Sequence, residues 1–410
     1  MKKHIAFLVI AVAAAVGARG QMSGLHRILD LPLYVDQDRI YNYNQYEKSR
    51  WGLGIYYGHT AEDLDRSGEP PAGFFDRLFA GGYVGYGYAD KRWKWGLDVA
   101  YWTNPSPRRK GNVYASLFHD LTPEAGRTLG RFSLAEFNSS SSFMARLFSD
   151  TWRLTAGYSS RIGKNTTANL ALRLSDERKL YGSSGLLYPR SDDDWDALQH
   201  SCFAEGVLSF AHNNGLSGEM VVGRSNGEWW VDTGFYVRVL LQYQRNFKFK
   251  KPFKPFYLNT FAQAGATTDG TPFSRQFNLG GTWGSPLMLG QSMQTARLDE
   301  FAANLFALAS LRFGFRTPLF DLYNNDFVIG TAPRPFVMAG AMWGLSYGDH
   351  MPAPDRGFAE VGAGIDGVVR WGVTDLGVAV AYRLAPANSF YHFDKTSDNL
   401  LILFTVSLHV

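Results

Sequence analysis

The feature that most constrains this chain is a period-two alternation of apolar with small or polar side chains, recurring along most of its length. In WKWGLDVAYW, Trp93, Trp95, Leu97, Val99 and Tyr101 alternate with Lys94, Gly96, Asp98, Ala100 and Trp102. A β-strand places the two sets on opposite faces, one large and apolar, the other carrying a cation and a carboxylate among small residues. The pattern returns with Phe235, Val237, Val239, Leu241 and Tyr243, with Leu376, Val378, Val380, Tyr382 and Leu384, and at the end with Ile402, Phe404, Val406, Leu408 and Val410. Further runs lie at 152–158, 168–174, 256–264 and 305–315. There are about fifteen such segments, each near the ~9–11 residues with which a tilted strand crosses a hydrocarbon layer. A blurred stretch at 131–148 is the expected sixteenth.

An alternating strand fits two surroundings. In a soluble sandwich the apolar face meets a second sheet; in a membrane barrel it meets lipid and the polar face looks into the lumen. Asp98, Arg173, Arg238, Gln242, Arg312, Glu360, Asp366, Arg370 and Arg383 fall mid-strand opposite the apolar stripes, which suits both. Two features favour the barrel. Trp and Tyr recur at stripe ends, as in an aromatic girdle, in a chain with 11 Trp, 21 Tyr, 30 Phe and 43 Gly. The connections also alternate in length: 267–303, 346–356 and 385–398 are long where 249–254 and 371–375 are tight, with 317–333 too long for its place. The expected fold is all-β, a transmembrane antiparallel β-barrel of sixteen strands, since single-chain bacterial barrels have even counts.

The start, MKKHIAFLVIAVAAAVGARGQ, agrees with export. Lys2 and Lys3 precede an apolar run from Ile5 to Val16 and the small-x-small site Ala18-Arg19-Gly20, the layout of a secretory signal peptide. The expected organisation is a signal peptide at 1–20, a short periplasmic segment at 21–50 and a barrel at 51–410, in the outer membrane of a Gram-negative cell among its lipids and lipopolysaccharide. Cys202, the single cysteine, cannot form an internal disulfide. Three of the 41 Lys and Arg precede residue 21 and 37 Asp and Glu oppose the rest, so nothing in the charge calls for a nucleic-acid partner. The run from Asn246 to Phe256, with Lys248, Lys250, Lys251 and Lys254, reads as a basic turn at lipid headgroups.

FNLGGTWGSPLMLG, Phe277 to Gly290, resembles the long extracellular loop, often introduced by F-x-L-G-G, of the Omp85 superfamily of outer-membrane barrels, the surface antigen D15 group. Five strand patterns follow it, near Leu305, Phe336, Phe358, Leu376 and Leu400, as in the sixteen-stranded members. GYVGYGYADKRWKWGLDVAYW with SLFHDLTPEAGR, Gly82 to Trp102 and Ser116 to Arg127, is similar to a related Bacteroidetes group of the DUF5686 type. The resemblance implies a role in outer-membrane biogenesis or transport. It also implies insertion by the barrel assembly machinery through the C-terminal strand, and a periplasmic protein partner. It marks Leu279, Gly280, Gly281, Trp283 and Gly284 as the loop motif. Two departures stand out. The superfamily's loop carries an Arg-Gly-aromatic tip that pairs with acidic wall residues, where this chain reads Trp283-Gly284-Ser285, and 21–50 is too short for a POTRA module.

Candidate chemistry is sparse. A lipid hydrolase on a barrel wall needs a Ser in contact with a His, and FAHNNGLSG offers His212 and Ser217, with Ser225 further on. Asn213-Asn214-Gly215 between them is itself a hairpin signal. His119-Asp120 reads as a polar pair at a strand end, and SDDDWD, Ser191 to Asp196, as a solvated acidic loop. No catalytic set, metal site or cofactor is expected. Asp98, Arg238, Arg312, Glu360, Asp366, Arg370 and Arg383 are expected to pair across strands as a lumen charge network, because isolated charge in a closed lumen is costly. A passive channel and a lipid-modifying enzyme are the rival functions.

Overall fold

The computed structural model describes residues 25–27, 32–36, 40–44, 48–60, 73–88, 91–104, 111–128, 146–180, 200–226, 234–272, 275–279, 295, 301–324, 329–346, 353–371, 374–385 and 400–408. The first strands are β1 (Leu25–Arg27), β2 (Leu33–Asp36), β3 (Tyr41–Asn44), β4 (Lys48–Gly58), β5 (Leu78–Gly87), β6 (Trp93–Asn104), β7 (Gly111–Thr128) and β8 (Arg146–Ile162). Then come β9 (Thr166–Leu180), β10 (His200–His212), β11 (Leu216–Ser225), β12 (Phe235–Lys248), β13 (Phe256–Thr267), β14 (Phe277–Leu279) and β15 (Phe301–Ala303). The last are β16 (Leu305–Phe315), β17 (Leu322–Asn324), β18 (Ile329–Thr331), β19 (Arg334–Leu345), β20 (Phe358–Trp371), β21 (Thr374–Ala385) and β22 (Leu400–Leu408). Two compact units divide them: Met1–Leu121 with Asp150–Arg161, and Thr122–Ser149 with Ile162–Val410.

In the first unit β2 and β3 pair in succession with one edge of β4, whose other edge pairs with β5; β5 pairs with β6 and β6 with β7, all antiparallel. In the second unit neighbours in sequence pair from β9 through β13, then β13 with β16, β16 with β19, and on to β22. Taking β2 with β3 as one strand and setting aside the short β1, β14, β15, β17 and β18, the long strands among the described residues number the sixteen expected. The fold class is an all-β, transmembrane antiparallel β-barrel.

Burial shows why. In the opening stretch Trp93 is 61% exposed and Leu97 56%, while Lys94 is fully buried. Trp51, Leu53, Ile55 and Tyr57 are exposed on β4 beside buried Arg50 and Tyr56, and Leu170, Leu172 and Leu174 on β9 beside buried Ala171 and Ser175. This inverts a soluble protein, where large apolar side chains go inside and Lys and Arg stay out. It is the arrangement that hydrocarbon requires, with apolar side chains out and polar ones in.

Small residues on the polar face make room for rings. A Cβ at Gly96 would lie 2.3 Å from the Tyr83 ring, and one at Gly223 2.5 Å from that of Tyr236, so each glycine is the floor on which a cross-strand tyrosine lies. Gly215 serves differently: at φ +97° it closes the β10–β11 hairpin, as Asn213-Asn214-Gly215 implied.

Of the blurred stretch at 131–148, residues 146–148 open β8 and the rest lies outside the described residues; β2 with β3 adds a strand that the alternation did not mark. Pairing therefore begins inside 21–50, before the expected barrel start at 51, because Leu33–Asp36 and Tyr41–Asn44 satisfy the β4 edge. The segment 317–333 fits its place in the series because it folds into the β17–β18 hairpin, whose Ile329 and Gly330 extend the ladder along β20. The signal peptide at 1–20 and the acidic Ser191 to Asp196 lie outside the described residues.

Candidate functional site

On the polar face of the second unit Arg312, Asp366, Arg370 and Arg238 of the expected set form ion pairs, several of them buried. Arg312 on β16 donates to Asp366 on β20 and stacks over the Phe336 ring, 3.7 Å from its centroid. Arg370 on β20 donates through Nε to Asp375 at 2.9 Å and through Nη1 to Asp321 at 3.1 Å, and Arg334 donates to the same Asp375. Arg238 on β12 donates to Glu219 on β11 at 2.8 Å. In the first unit Asp98 accepts from Tyr56 Oη at 3.2 Å, while Arg50 and Tyr83 both donate to Asp120, the latter at 2.7 Å. Of the expected network, Arg312 and Asp366 are brought into contact with each other. Arg334, Asp321 and Asp375 were missed: Asp375 and Arg334 sit at strand starts, where alternation is weak, and Asp321 is in a connection.

A second cluster, absent from the sequence reading, is built around Arg275, which lies in the long connection 268–304. Its Nη2 donates to Glu177 Oε1 at 2.7 Å and its Nε to Glu205 Oε1 at 2.9 Å, so one guanidinium bridges β9 and β10. Tyr236 Oη donates to Glu205 at 2.7 Å, Ser175 Oγ to Glu177 at 3.1 Å, and Arg275 lies 3.8 Å from the Phe203 ring centroid. Burial would lower the pKa of Arg275, but the Glu177 and Glu205 carboxylates outweigh it and raise the value, so the side chain stays charged. Glu177 and Glu205 were legible as inward by parity; nothing periodic marks Arg275.

The same connection is held at two further places. Thr295 donates from its backbone N–H and its hydroxyl to Glu360 Oε2, at 2.6 and 2.7 Å, and its carbonyl accepts from Arg383 at 2.6 Å. The β14–β15 hairpin puts Phe277, Leu279, Phe301 and Ala303 into one apolar cluster with Phe306, Met342 and Phe358 of β16, β19 and β20, and Arg238 lies 4.4 Å from the Phe277 ring centroid. The described residues of the connection thus lie on the polar face, tied to β9 and β10 at one side and β20 and β21 at the other. Of the loop motif, Leu279 is buried in this cluster; Gly280, Gly281, Trp283 and Gly284 lie outside the described residues.

The hydrolase pattern is not assembled. His212 follows the outward parity of Leu208 on β10, whereas Ser217 follows the inward parity of buried Val221 on β11. The His212 imidazole instead accepts from the Asn214 N–H at 3.1 Å within the turn. His119 and Asp120 also part company: Asp120 points in to Arg50, while His119 points out and meets Asp150 at 2.7 Å. They are not one polar pair, because neighbours on a strand face opposite ways.

No family model and no curated protein matches this sequence. Among solved structures the chain is similar to BamA from Haemophilus ducreyi lacking POTRA domains 1–3, at 11% identity and a TM-score of 0.49 over 95% of this chain and 75% of that one. It is also similar to CdiB from Acinetobacter baumannii, at 10% identity and a TM-score of 0.45 over 93% of this chain and 57% of that one. Among the described residues no helix is long and apolar enough to cross a membrane, a statement that says nothing of strands.

Proposed function

We propose that this chain is a Gram-negative outer-membrane barrel that acts in outer-membrane biogenesis or transport with its lumen occupied by its own long connection, rather than a passive channel. The observation that carries the reading is the double tether of 268–304, through Arg275 to Glu177 and Glu205 and through Thr295 to Glu360 and Arg383. A passive pore needs an open path lined by charges that an ion can meet, whereas here the inward charges are turned toward one another and toward the loop. The F-x-L-G-G resemblance and the five long strands after the loop, β16, β19, β20, β21 and β22, support the same reading. Its partners are then outer-membrane lipids and lipopolysaccharide, the barrel assembly machinery during insertion, and a periplasmic protein.

Conductance of the purified protein in a planar bilayer tests this. The parent chain is expected to stay closed apart from brief openings, and Arg275→Ala to open longer and more often. A steady open conductance from the parent chain, unchanged by Arg275→Ala, would establish the channel instead.

A further inference from the structure

Beside the exposed apolar face of the first unit lies a charged group of residues set among aromatic rings. His119 of β7 is on the outward parity with Val113, opposite Trp95 in the β6–β7 register. Its Nε2 is 2.7 Å from Asp150 Oδ1, and Arg92, in the turn before β6, donates to Asp150 Oδ2 at 3.0 Å. The imidazole stacks on Trp152 at 4.4 Å between centroids, Trp152 meets Trp95 edge-on at 5.4 Å, and Trp93 meets Tyr86 at 5.1 Å. Asp150 is mostly covered, whereas Arg92 is about half exposed and the neighbouring Lys91 is exposed.

Depth decides what this group can meet. A charge on the lipid face is strongly unfavourable at mid-membrane and nearly tolerated at the interface, and Trp and Tyr gather at that interface. The rings beside Arg92 and His119 therefore set the group at headgroup level. There Lys91 is exposed and Arg92 half exposed, with Asp150 orienting the guanidinium, while the ring surface offers a flat apolar platform beneath. We propose that this patch is a binding site for the phosphate of a lipid headgroup, a chemistry shared by phospholipids and by phosphorylated glycolipids of the lipid A class.

Native mass spectrometry on the full-length protein in micelles tests it, with phosphatidylglycerol, diphosphoryl lipid A or a galactosyl diglyceride lacking phosphate added in turn. One phosphate-bearing lipid should remain bound where the galactosyl lipid does not. Retention of phosphatidylglycerol alone assigns a phospholipid, of lipid A alone a glycolipid, and of both a site that reads the phosphate. Lys91→Gln with Arg92→Gln should weaken retention about thirty-fold, the effect of removing two headgroup-level cations, and Arg92→Lys should largely keep it. Equal retention of all three lipids, or retention unchanged in the double variant, overturns the proposal in favour of a strand-to-strand staple. If the double variant does not fold, the three-lipid comparison on the parent chain and on Arg92→Lys decides.

Discussion

The Arg275 cluster and the Arg92 cluster use the same parts to opposite ends. Each sets an arginine against carboxylate and beside aromatic rings, yet Arg275 is enclosed on a polar face with Glu177 and Glu205, while Arg92 stands half exposed on an apolar face with Asp150. Enclosure makes an ion pair obligatory, because losing one partner leaves the other charge buried without compensation. Exposure at an interface makes it adjustable, since water and headgroups can replace either partner. The first arrangement suits holding the chain to itself and the second suits meeting something else.

That contrast can be broken experimentally. Arg275→Met should destabilise the protein by about 3–5 kcal/mol, because two carboxylates lose their guanidinium; the urea midpoint of the heat-modifiable band on a gel would show it. A midpoint like the parent's would place Arg275 among dispensable contacts and remove the difference between the clusters. Leu97→Arg, which puts a charge on the apolar face away from the interface, should cost about 2–4 kcal/mol by the same measurement. If Leu97→Arg were neutral, the exposed stripe would not be facing hydrocarbon.

Smaller effects sharpen the picture. Gly223→Val drives side-chain atoms into the Tyr236 ring and should cost about 1–3 kcal/mol. It should also raise the exchange rate of β11 and β12 amides, since Tyr236 would be pushed off Glu205. Arg92→Gln should change stability by about 1 kcal/mol or less, as exposed pairs do. A loss as large as that from Arg275→Met would show that the outer cluster, too, is structural.

Much of the fold was legible because side chains alternate along a regular strand, although bulges such as the one between Ile365 and Val369 of β20 interrupt the pattern. Parity alone put Lys94 and Asp98 on one face and Trp93 and Leu97 on the other, and set the neighbours His119 and Asp120 on opposite faces; burial shows which face is which. The first strand escaped notice because Leu33–Asp36 and Tyr41–Asn44 are short and separated, each with too few alternations to register. Leu279 was singled out for its motif, and the structure places it in an apolar cluster under the connection.

The sequence by itself therefore determined which residues share a face of a strand, since that information is carried between neighbours and needs no long-range contact. Only the tertiary structure decided how the inward charges are matched. Arg275 lies 98 positions from Glu177 and Thr295 65 positions from Glu360, and no local periodicity encodes such distances. Strand register and the path of a loop bring those groups together, and register is fixed by the whole set of pairings rather than by any one strand.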